Sequence, residues 1–318
     1  MNLDSAKPPP RVLCVGIAVL DLIMRIDTMP QRAAKYRCQD ADLVGGGCAA
    51  NAAVAIARLG GIAHLAGCLG EDKIADMIER DLVAEGVDCT RLHRIAGHRS
   101  SFSSIYIDSH GERQIVNFRD DGTMPAIEGL APVDGFDAIL ADTRWPAGAD
   151  LAMREARLRS IPAILDAEPP FDACLGALAD ADHVFFSERG LREFSALDDP
   201  DRGLAFAAER IGGVVGVTKG ADAVRWIDAA GAHSSHTYPI DAVDTLGAGD
   251  AWHGALALAL AERRSLPDAI AFANATAAIK CTRPGGRRGL PTRAEVERFM
   301  QTPAADPAAA SPTPLELP

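Results

Sequence analysis

Short apolar runs that recur between helix-length stretches constrain the fold of this chain most. The clearest are Arg11–Gly16, Asp137–Ala141, Ile161–Asp166, His183–Ser187 and Gly213–Lys219, and a polar residue ends or directly follows each of the last four. Runs of this kind are typical of parallel strands that are buried on both faces, with the intervening stretches folding as covering helices. The sequence therefore predicts an α/β fold, a three-layer α/β/α sandwich around a mainly parallel central sheet.

Two stretches break this alternation. Tyr36–Val44 and Ser101–Arg119 alternate polar and apolar residues, and the second contains an Asp-Ser-His-Gly turn. This pattern is typical of half-exposed antiparallel strands. Because both stretches flank a glycine run, we predict a small β-sheet lid, built from segments near 31–44 and 99–120 of one domain that spans residues 11–301.

The two ends of the chain differ in composition from the rest. Residues 1–10 are a polar, Pro-rich leader without the apolar core of a secretory signal, and residues 302–318 are a Pro/Ala-rich tail. We predict that both are disordered. The longest apolar helical stretch, Ala251–Ala261, is well below the roughly 20 residues that span a bilayer, so no membrane partner is expected.

Charge and cysteine content exclude several classes of protein. The chain has 32 Lys and Arg against 44 Asp and Glu, a net charge of −12, which argues against a nucleic-acid partner. Its seven cysteines are scattered and include no C-x-x-C pair, so neither a disulfide framework nor a zinc site is expected. Reduced thiols and a cytoplasmic location are predicted.

The segment Asp241–Ala255 (DAVDTLGAGDAWHGA) carries the strongest chemical signal. A strand is predicted to end near Val243, after which Gly247-Ala248-Gly249 turns directly into the helix Asp250–Glu262. Backbone N–H groups that converge at a helix N-terminus bind anions. Asp250 has the position of an ordinary helix cap, but a carboxylate facing an anion pocket also suits a general base opposite a transferable phosphoryl group.

A second glycine-rich segment, Gly45–Asn51 (GGGCAAN), precedes an Ala-rich helix. Glycines there allow a ligand to approach the backbone closely, although a flexible loop beside a tightly packed helix is the plainer interpretation. The segment has neither the Gly-Lys-Ser/Thr of a P-loop nor the G-x-G-x-x-G of a dinucleotide site.

Taken together, these segments resemble the PfkB/ribokinase family of sugar and nucleoside kinases. The N-terminal family pattern, a Gly-Gly run with an Asn, a helix and a later Gly, matches Gly45–Asn51 through Gly70, and Asp-Thr-x-Gly-Ala-Gly-Asp matches Asp244–Asp250 without a gap. The resemblance extends from about Arg11 to Met300. It implies a ribokinase-like fold and transfer of a phosphoryl group from ATP to a sugar hydroxyl.

The resemblance also implies roles for individual residues. Asp250 would be the general base, and the backbone N–H groups of Gly247, Ala248 and Gly249 would form an anion hole. The sugar would be held by residues near the first motif, namely Asp21, Gly46, Gly47 and Asn51. The nucleotide would be held by residues of the second half, namely Ser187, Thr218, Gly220 and Asn274, the last of them beside adenine.

The expected cofactors are ATP and Mg²⁺. The family often carries Asn-x-x-Glu after the middle of the chain, where it organises magnesium and phosphates. The corresponding stretch here, Ser187–Gly190 (SERG), has no Asn and a displaced Glu, so Glu188 is the candidate metal contact. Some members of the family also bind K⁺ near the anion hole, where Asp244 would be adjacent.

Three further residues bear on the substrate. Arg144 follows a strand end in ADTRW, and Lys35 and Asn117 lie in or beside the predicted lid. A guanidinium, an ammonium and an amide suit a tetrahedral anion, although three unrelated surface residues would give the same pattern.

Within the family, the closest resemblance is to the sulfofructose kinases, which phosphorylate 6-deoxy-6-sulfofructose at O1. It is carried by four stretches: Ala141–Trp145, Phe186–Leu191, His253–Ala261 and Lys280–Pro291. The resemblance implies that Lys35, Asn117 and Arg144 hold the sulfonate.

Other functions remain open at this stage. A phosphorylated ketose, such as fructose 6-phosphate or tagatose 6-phosphate, offers the same three oxygens as a sulfonate, whereas a neutral ketose leaves Arg144 and Lys35 nothing to bind. A non-catalytic sensor of nucleotide or sugar is a further alternative, against which the intact Asp250 motif argues. An exposed lid edge seeks a partner strand, so a homodimer through the lid is predicted.

The turn after Lys280 is also open to two interpretations. Cys281, Thr282 and Arg283 precede Gly285-Gly286, a loop that could close over the nucleotide. A surface turn at the end of the last helix explains Arg283, Arg287 and Arg288 equally well.

Overall fold

The computed structural model describes residues 8–110, 112–124 and 133–301. The predicted tail, 302–318, and residues 1–7 of the predicted leader lie outside the described residues. None of the helices in the described part of the chain is long and apolar enough to cross a membrane.

The described residues form thirteen strands and nine α-helices. The strands are β1 Arg11–Val15, β2 Val19–Arg25, β3 Asp40–Gly46, β4 Ile62–Gly70, β5 Asp88–Ile95, β6 Phe102–Ile107, β7 Arg113–Phe118, β8 Ala138–Asp142, β9 Ala163–Ala167, β10 His183–Ser187, β11 Val214–Thr218, β12 Val224–Asp228 and β13 Gly231–Ser235. The helices are α1 Cys48–Arg58, α2 Lys73–Ala84, α3 Pro146–Arg159, α4 Leu175–Asp180, α5 Glu188–Ser195, α6 Pro200–Ala208, α7 Ala248–Ala261, α8 Leu266–Cys281 and α9 Arg293–Gln301.

Nine strands make the main sheet, in the order β13-β12-β11-β10-β9-β8-β1-β4-β5. The strands from β11 to β5 pair in parallel, and only β12 and β13 at one edge run antiparallel. Successive side chains of a strand point to opposite faces, so Val12 and Cys14 of β1 join a core with α1, α2, α7 and α8, whereas Leu13 and Val15 join the core under α3 to α6. The predicted three-layer α/β fold is confirmed.

A second sheet of four strands, in the order β3-β2-β6-β7, forms the lid. Strand β2 pairs in parallel with β6, and the other pairs are antiparallel. The sequence analysis missed β2, because only residues 16–18 separate it from β1. The first lid stretch predicted, Tyr36–Val44, becomes a strand only from Asp40 onward.

The strand predicted to end near Val243 is wrong. Residues 240–245 are irregular, and the N–H groups of Val243 and Asp244 both donate to the Cys281 carbonyl, at 2.8 and 3.1 Å. The local alternation of polar and apolar residues imitates a strand, but these backbone groups are satisfied by the end of α8 rather than by a neighbouring strand.

Helices α1 and α7 pack against each other through very small residues. A Cβ atom placed on Gly254 of α7 would lie 2.6 Å from the Ala52 carbonyl oxygen of α1. Such a distance is too short for ordinary contact, so only glycine allows the two backbones to approach this closely.

We expect Gly254→Ala to lower the free energy of unfolding by about 1–3 kcal/mol, since the added methyl group overpacks the contact between two backbones. The matched control is Gly212→Ala, because Gly212 has open space around its Cβ position and no positive φ. Urea denaturation of both variants measures the difference. Equal stabilities would show that α1 and α7 can separate without cost.

Candidate active site

The carboxylate of Asp142, at the end of β8, fixes the edge of the main sheet on which the site is built. Its Oδ2 accepts hydrogen bonds from the N–H groups of Ile17 and Ala49, both at 3.0 Å, and its Oδ1 accepts one from Arg144 N–H at 2.8 Å. One buried side chain therefore ties together the end of β8, the connection after β1 and the N-terminus of α1. Carboxylates in such positions are stabilised by the helix dipole.

Asp250 lies in the first turn of α7 and is hydrogen-bonded to α1. Its Oδ2 accepts from Nδ2 of Asn51 at 2.6 Å, across 199 residues of sequence. Burial, with a smaller contribution from the negative charge of Asp166, raises the pKa of Asp250 to about 6, and the Asn51 hydrogen bond opposes the rise. A carboxylate that titrates near neutral pH can take up a proton and release it again, as a general base must.

The turn before α7 presents backbone N–H groups beside Asp250. Gly247 has a φ of 76°, and the N–H of Ala248 closes a turn onto the Thr245 carbonyl at 3.2 Å. The N–H of Gly249 belongs to the first helical turn and has no carbonyl of its own helix to bind. The arrangement is that of an anion-binding helix N-terminus. The N–H of Gly249 is more available to an anion than that of Ala248, which already donates to the Thr245 carbonyl.

Arg287 is a central residue that the sequence analysis left undecided. Its side chain is 4% exposed and donates to Asn51 Oδ1 at 3.0 Å, to Asp81 Oδ2 at 2.9 Å and to the Gly46 carbonyl at 3.0 Å. The interpretation as a surface turn is therefore wrong for Arg287, whereas Arg288 is exposed and pairs with Asp42. By binding the oxygen of the Asn51 amide, Arg287 orients the NH₂ group toward Asp250.

The lid places Asp21 and Asn117 in one row. Asp21 pairs in register with Ser103 of β6, which pairs with Asn117 of β7, so the two side chains lie on the same face, about 10 Å apart. Burial raises the pKa of Asp21, and a hydrogen bond from Ser103 and the charge of Arg287 oppose the rise. Asp21 lies inside β2 and is buried.

Two glycines make room beside Asp21. A Cβ on Gly46 would lie 2.2 Å from Asp21 Oδ2, and one on Gly47, whose φ is 95°, would lie 2.4 Å from the Ile17 carbonyl oxygen. The glycine run of the first motif therefore allows the strand to pass directly over a carboxylate.

Asp166 was missed in the sequence analysis, although it ends one of the predicted apolar runs. Three potential metal ligands lie within 4.8 Å of one another: a carboxylate oxygen of Asp166, a carboxylate oxygen of Asp250 and the Sγ of Cys48. Burial, and then the charges of Glu168 and Asp142, raise the pKa of Asp166 to about 8. Burial and the neighbouring carboxylates also raise the pKa of the Cys48 thiol. Two carboxylates suit a hard divalent cation such as Mg²⁺, and a protonated thiol does not.

The predicted nucleotide residues lie further along the same sheet edge. Ser187 and Thr218 are register neighbours at the ends of β10 and β11, and Gly220 follows with a φ of 59°. The Glu188 carboxylate is 3.7 Å from Lys219 Nζ and largely exposed. Glu188 therefore lies beside the predicted nucleotide-binding residues and is ion-paired. It is not part of the cluster formed by Asp166, Asp250 and Cys48.

Asn274 is buried in α8 and its amide faces protein. Its Oδ1 accepts from Trp252 Nε1 at 2.7 Å, and its Nδ2 donates to the His236 carbonyl at 3.1 Å. Asn274 thus anchors the chain after β13, and contact with adenine stays a prediction.

The three residues predicted to bind an anion come from three elements. Lys35 is exposed in the connection between β2 and β3, and Asn117 is exposed on β7. Arg144 donates to the Pro169 carbonyl at 2.6 Å, and its positive charge opposes the rise in the pKa of Asp166 and of Cys48. The Arg144 guanidinium therefore lies near Asp166 and Cys48.

We expect the pKa of Asp250, near 6, to rise in Asn51→Ala, because the variant loses a donor that stabilises the ionised carboxylate. Carboxyl ¹³C NMR of aspartate-labelled protein measures this pKa, with Asp250→Asn assigning the signal. Asn117→Ala, which removes an exposed amide, is the control. An unchanged titration in Asn51→Ala would contradict the coupling of these two side chains.

Comparison with known proteins assigns most of the chain to one family. The pfkB family of carbohydrate kinases matches residues 9–293. The ribokinase of Bacillus subtilis is 28% identical over 296 residues, which are 91% of this chain and 99% of the relative. A solved structure from Agrobacterium tumefaciens, provisionally described as a ribokinase, is 37% identical, with a TM-score of 0.88 over 92% of this chain and 98% of that one.

A more distant structure shares the fold. The ribokinase of Arabidopsis thaliana, solved with ribose and ATP, is 20% identical and has a TM-score of 0.84 over 93% of this chain and 100% of its own. The match over residues 9–293 includes both glycine-rich motifs. The chain belongs to the pfkB family of carbohydrate kinases and is an ATP-dependent sugar kinase.

Proposed function

We propose that this kinase phosphorylates an anionic ketose, 6-deoxy-6-sulfofructose, at O1, with Asp250 as the general base. The observation that carries the role of Asp250 is its 2.6 Å hydrogen bond to Asn51 beside the N-terminus of α7. This bond aims one carboxylate oxygen and leaves the other available to a sugar hydroxyl. At neutral pH the carboxylate is ionised and can accept the proton as the hydroxyl attacks.

In this mechanism the chain supplies position and charge. Asp21 on the lid accepts hydrogen bonds from sugar hydroxyls, and Asn51 offers its amide between the sugar and the base. The N–H groups of Gly247 and Gly249 donate to the charge that develops on the transferred phosphoryl group, assisted by the dipole of α7. Ser187, Thr218 and Gly220 hold the nucleotide along the sheet edge.

Asp166 is the residue that we propose to hold Mg²⁺, in place of Glu188. Its buried carboxylate is 3.6 Å from His253 Nδ1 and is influenced by the charge of Arg144, whereas the exposed Glu188 carboxylate is paired with Lys219. When bound with ATP, Mg²⁺ neutralises phosphate charge. The ion would also favour the ionised form of Asp166 and so oppose the burial that raises its pKa to about 8.

The anionic group of the substrate is assigned to Lys35, Asn117 and Arg144. Asn117 shares the lid face of Asp21, and the Arg144 guanidinium lies at the end of β8. Among the described contacts, none engages the ammonium of Lys35. The guanidinium of Arg144, the amide of Asn117 and the ammonium of Lys35 provide hydrogen-bond donors for the three oxygens of a sulfonate.

A neutral sugar is the second candidate. The relatives include a ribokinase of Bacillus subtilis and a fructokinase of Escherichia coli. In addition, Arg144 already donates to the Pro169 carbonyl, which reduces what its guanidinium offers to a ligand.

The acceptor is tested by direct measurement of ADP formation with 6-deoxy-6-sulfofructose, fructose 6-phosphate, fructose and ribose. We expect kcat/KM for the sulfonate to exceed that for fructose by about a hundredfold, and Arg144→Ala to remove most of this preference. Arg157→Ala is the control, because the exposed Arg157 of α3 pairs with Asp180 of α4. Preference for fructose 6-phosphate would support the anion site but show that the anion is a phosphate. Preference for ribose or fructose would refute the anion site.

We expect Asp250→Asn to lower kcat by a factor of about 10² to 10⁴, the usual contribution of a general base, while ATP and sugar still bind. Calorimetric titration checks the binding. An unchanged kcat would contradict the role of Asp250, and a wild-type protein that binds both ligands without turnover would be a sensor.

We also propose that the kinase is a homodimer through the lid. Strand β7 is an edge strand of the lid sheet, and its Ile115 and Val116 are 56% and 59% exposed. Exposed apolar side chains on an unpaired edge favour pairing with a second copy. Light scattering should give a dimer mass for the wild type and a monomer mass for Val116→Lys; a monomeric wild type would refute the proposal.

A further inference from the structure

Lys280, in the last turn of α8, has a completely buried side chain. Its Nζ donates to the Asp244 carbonyl oxygen at 2.7 Å and is 3.7 Å from Asp244 Oδ2. A lysine is almost never fully buried unless its charge is paired. The ammonium therefore has a defined place between the end of α8 and the segment that leads into α7.

Asp244 links the same two parts of the chain through its other acceptor positions. Its Oδ1 accepts from the N–H of Leu246 at 2.9 Å, and its Oδ2 accepts from the N–H groups of Gly285 and Gly286, both at 3.0 Å. On the outer side, the Arg113 guanidinium of the lid is 3.4 Å from Oδ1. The shape of the turn before Gly247 thus depends on the contacts of Asp244.

The position has the electrostatic features of a monovalent cation site. The carbonyl end of α8 carries partial negative charge, and the carbonyl and carboxylate of Asp244 add oxygen ligands of the kind that replace the hydration shell of K⁺. The family resemblance suggested K⁺ next to Asp244. The residues present do not fit this ion, because a K⁺ bound to the Asp244 carbonyl and Oδ2 would meet the ammonium of Lys280 at the same oxygens.

We propose that the ammonium of Lys280 takes the place of a monovalent cation beside the anion hole, so that phosphoryl transfer by this chain does not depend on K⁺. The inference rests on the proposed kinase mechanism. It has a structural consequence that can be separated from that mechanism: removal of the ammonium leaves a space lined by oxygens, in which K⁺ can bind.

The test compares the wild type with Lys280→Ala, which opens the space, and with Lys280→Met, which fills it without charge. ADP is measured directly, without a K⁺-dependent coupling enzyme, in tetramethylammonium, Na⁺, K⁺ or NH₄⁺ chloride at constant ionic strength. Melting temperatures are measured in the same four salts. Lys73→Ala is the matched control, because Lys73 is exposed at the start of α2.

We expect the wild-type rate and melting temperature to be the same in all four salts. Lys280→Ala should lose about tenfold or more in kcat without K⁺ and regain most of it in K⁺ or NH₄⁺, with a parallel rise in melting temperature. Lys280→Met should lose activity and gain nothing from either ion, and Lys73→Ala should match the wild type.

Two results would overturn the inference: activation or thermal stabilisation of the wild type by K⁺ but not by Na⁺, or a Lys280→Ala protein that is as active as the wild type in tetramethylammonium. If Lys280→Ala does not fold in any salt, the response of the wild type decides. If the wild type has no kinase activity on any sugar, the proposed function fails, and its melting temperature in K⁺ still tests the role of Lys280.

Discussion

The close approach of α1 and α7 is the constraint on which the site depends. Gly254 lets the backbone of α7 rest on Ala52 of α1, and this contact brings Asn51 within 2.6 Å of Asp250 across 199 residues of sequence. A larger side chain at the contact would separate the amide from the carboxylate. The alanine and glycine content of both helices therefore determines the position of a reactive group as well as the packing of the core.

Asp250 accepts a hydrogen bond from an amide and not directly from a cationic side chain, and this difference affects its pKa. A direct ion pair with an arginine lowers the pKa of a carboxyl by about 1–3 units, which would weaken it as a base. Here Arg287 binds the oxygen of Asn51, and Asn51 binds Asp250. The amide fixes the direction of the carboxylate, and burial keeps the pKa of Asp250 near 6. The same arginine donates to the Gly46 carbonyl, so Asn51 and the lid strand β3 are fixed by one side chain.

The main sheet and its active edge could be predicted because buried parallel strands are apolar runs that end in polar residues, as at Asp142, Asp166 and Ser187. Strand β2 could not, since only residues 16–18 separate it from the apolar run of β1. Nothing local marks Arg287 for burial: its three acceptors come from Asn51, Asp81 and Gly46, which are distant in sequence. The strand wrongly predicted to end near Val243 has the same cause. The N–H of Val243 donates to the carbonyl of Cys281, which is distant in sequence.

Cys48 has a consequence for the chemical durability of the site. A thiol beside Asp166 and Asp250 can meet oxidants and alkylating agents that diffuse in with small polar ligands, and only its thiolate form reacts readily. Burial, together with the negative charges of Asp250, Asp166 and Asp142, raises the pKa of this thiol and favours its protonated form. The acidic groups around Cys48 thus also lower the reactivity of its sulfur toward oxidants.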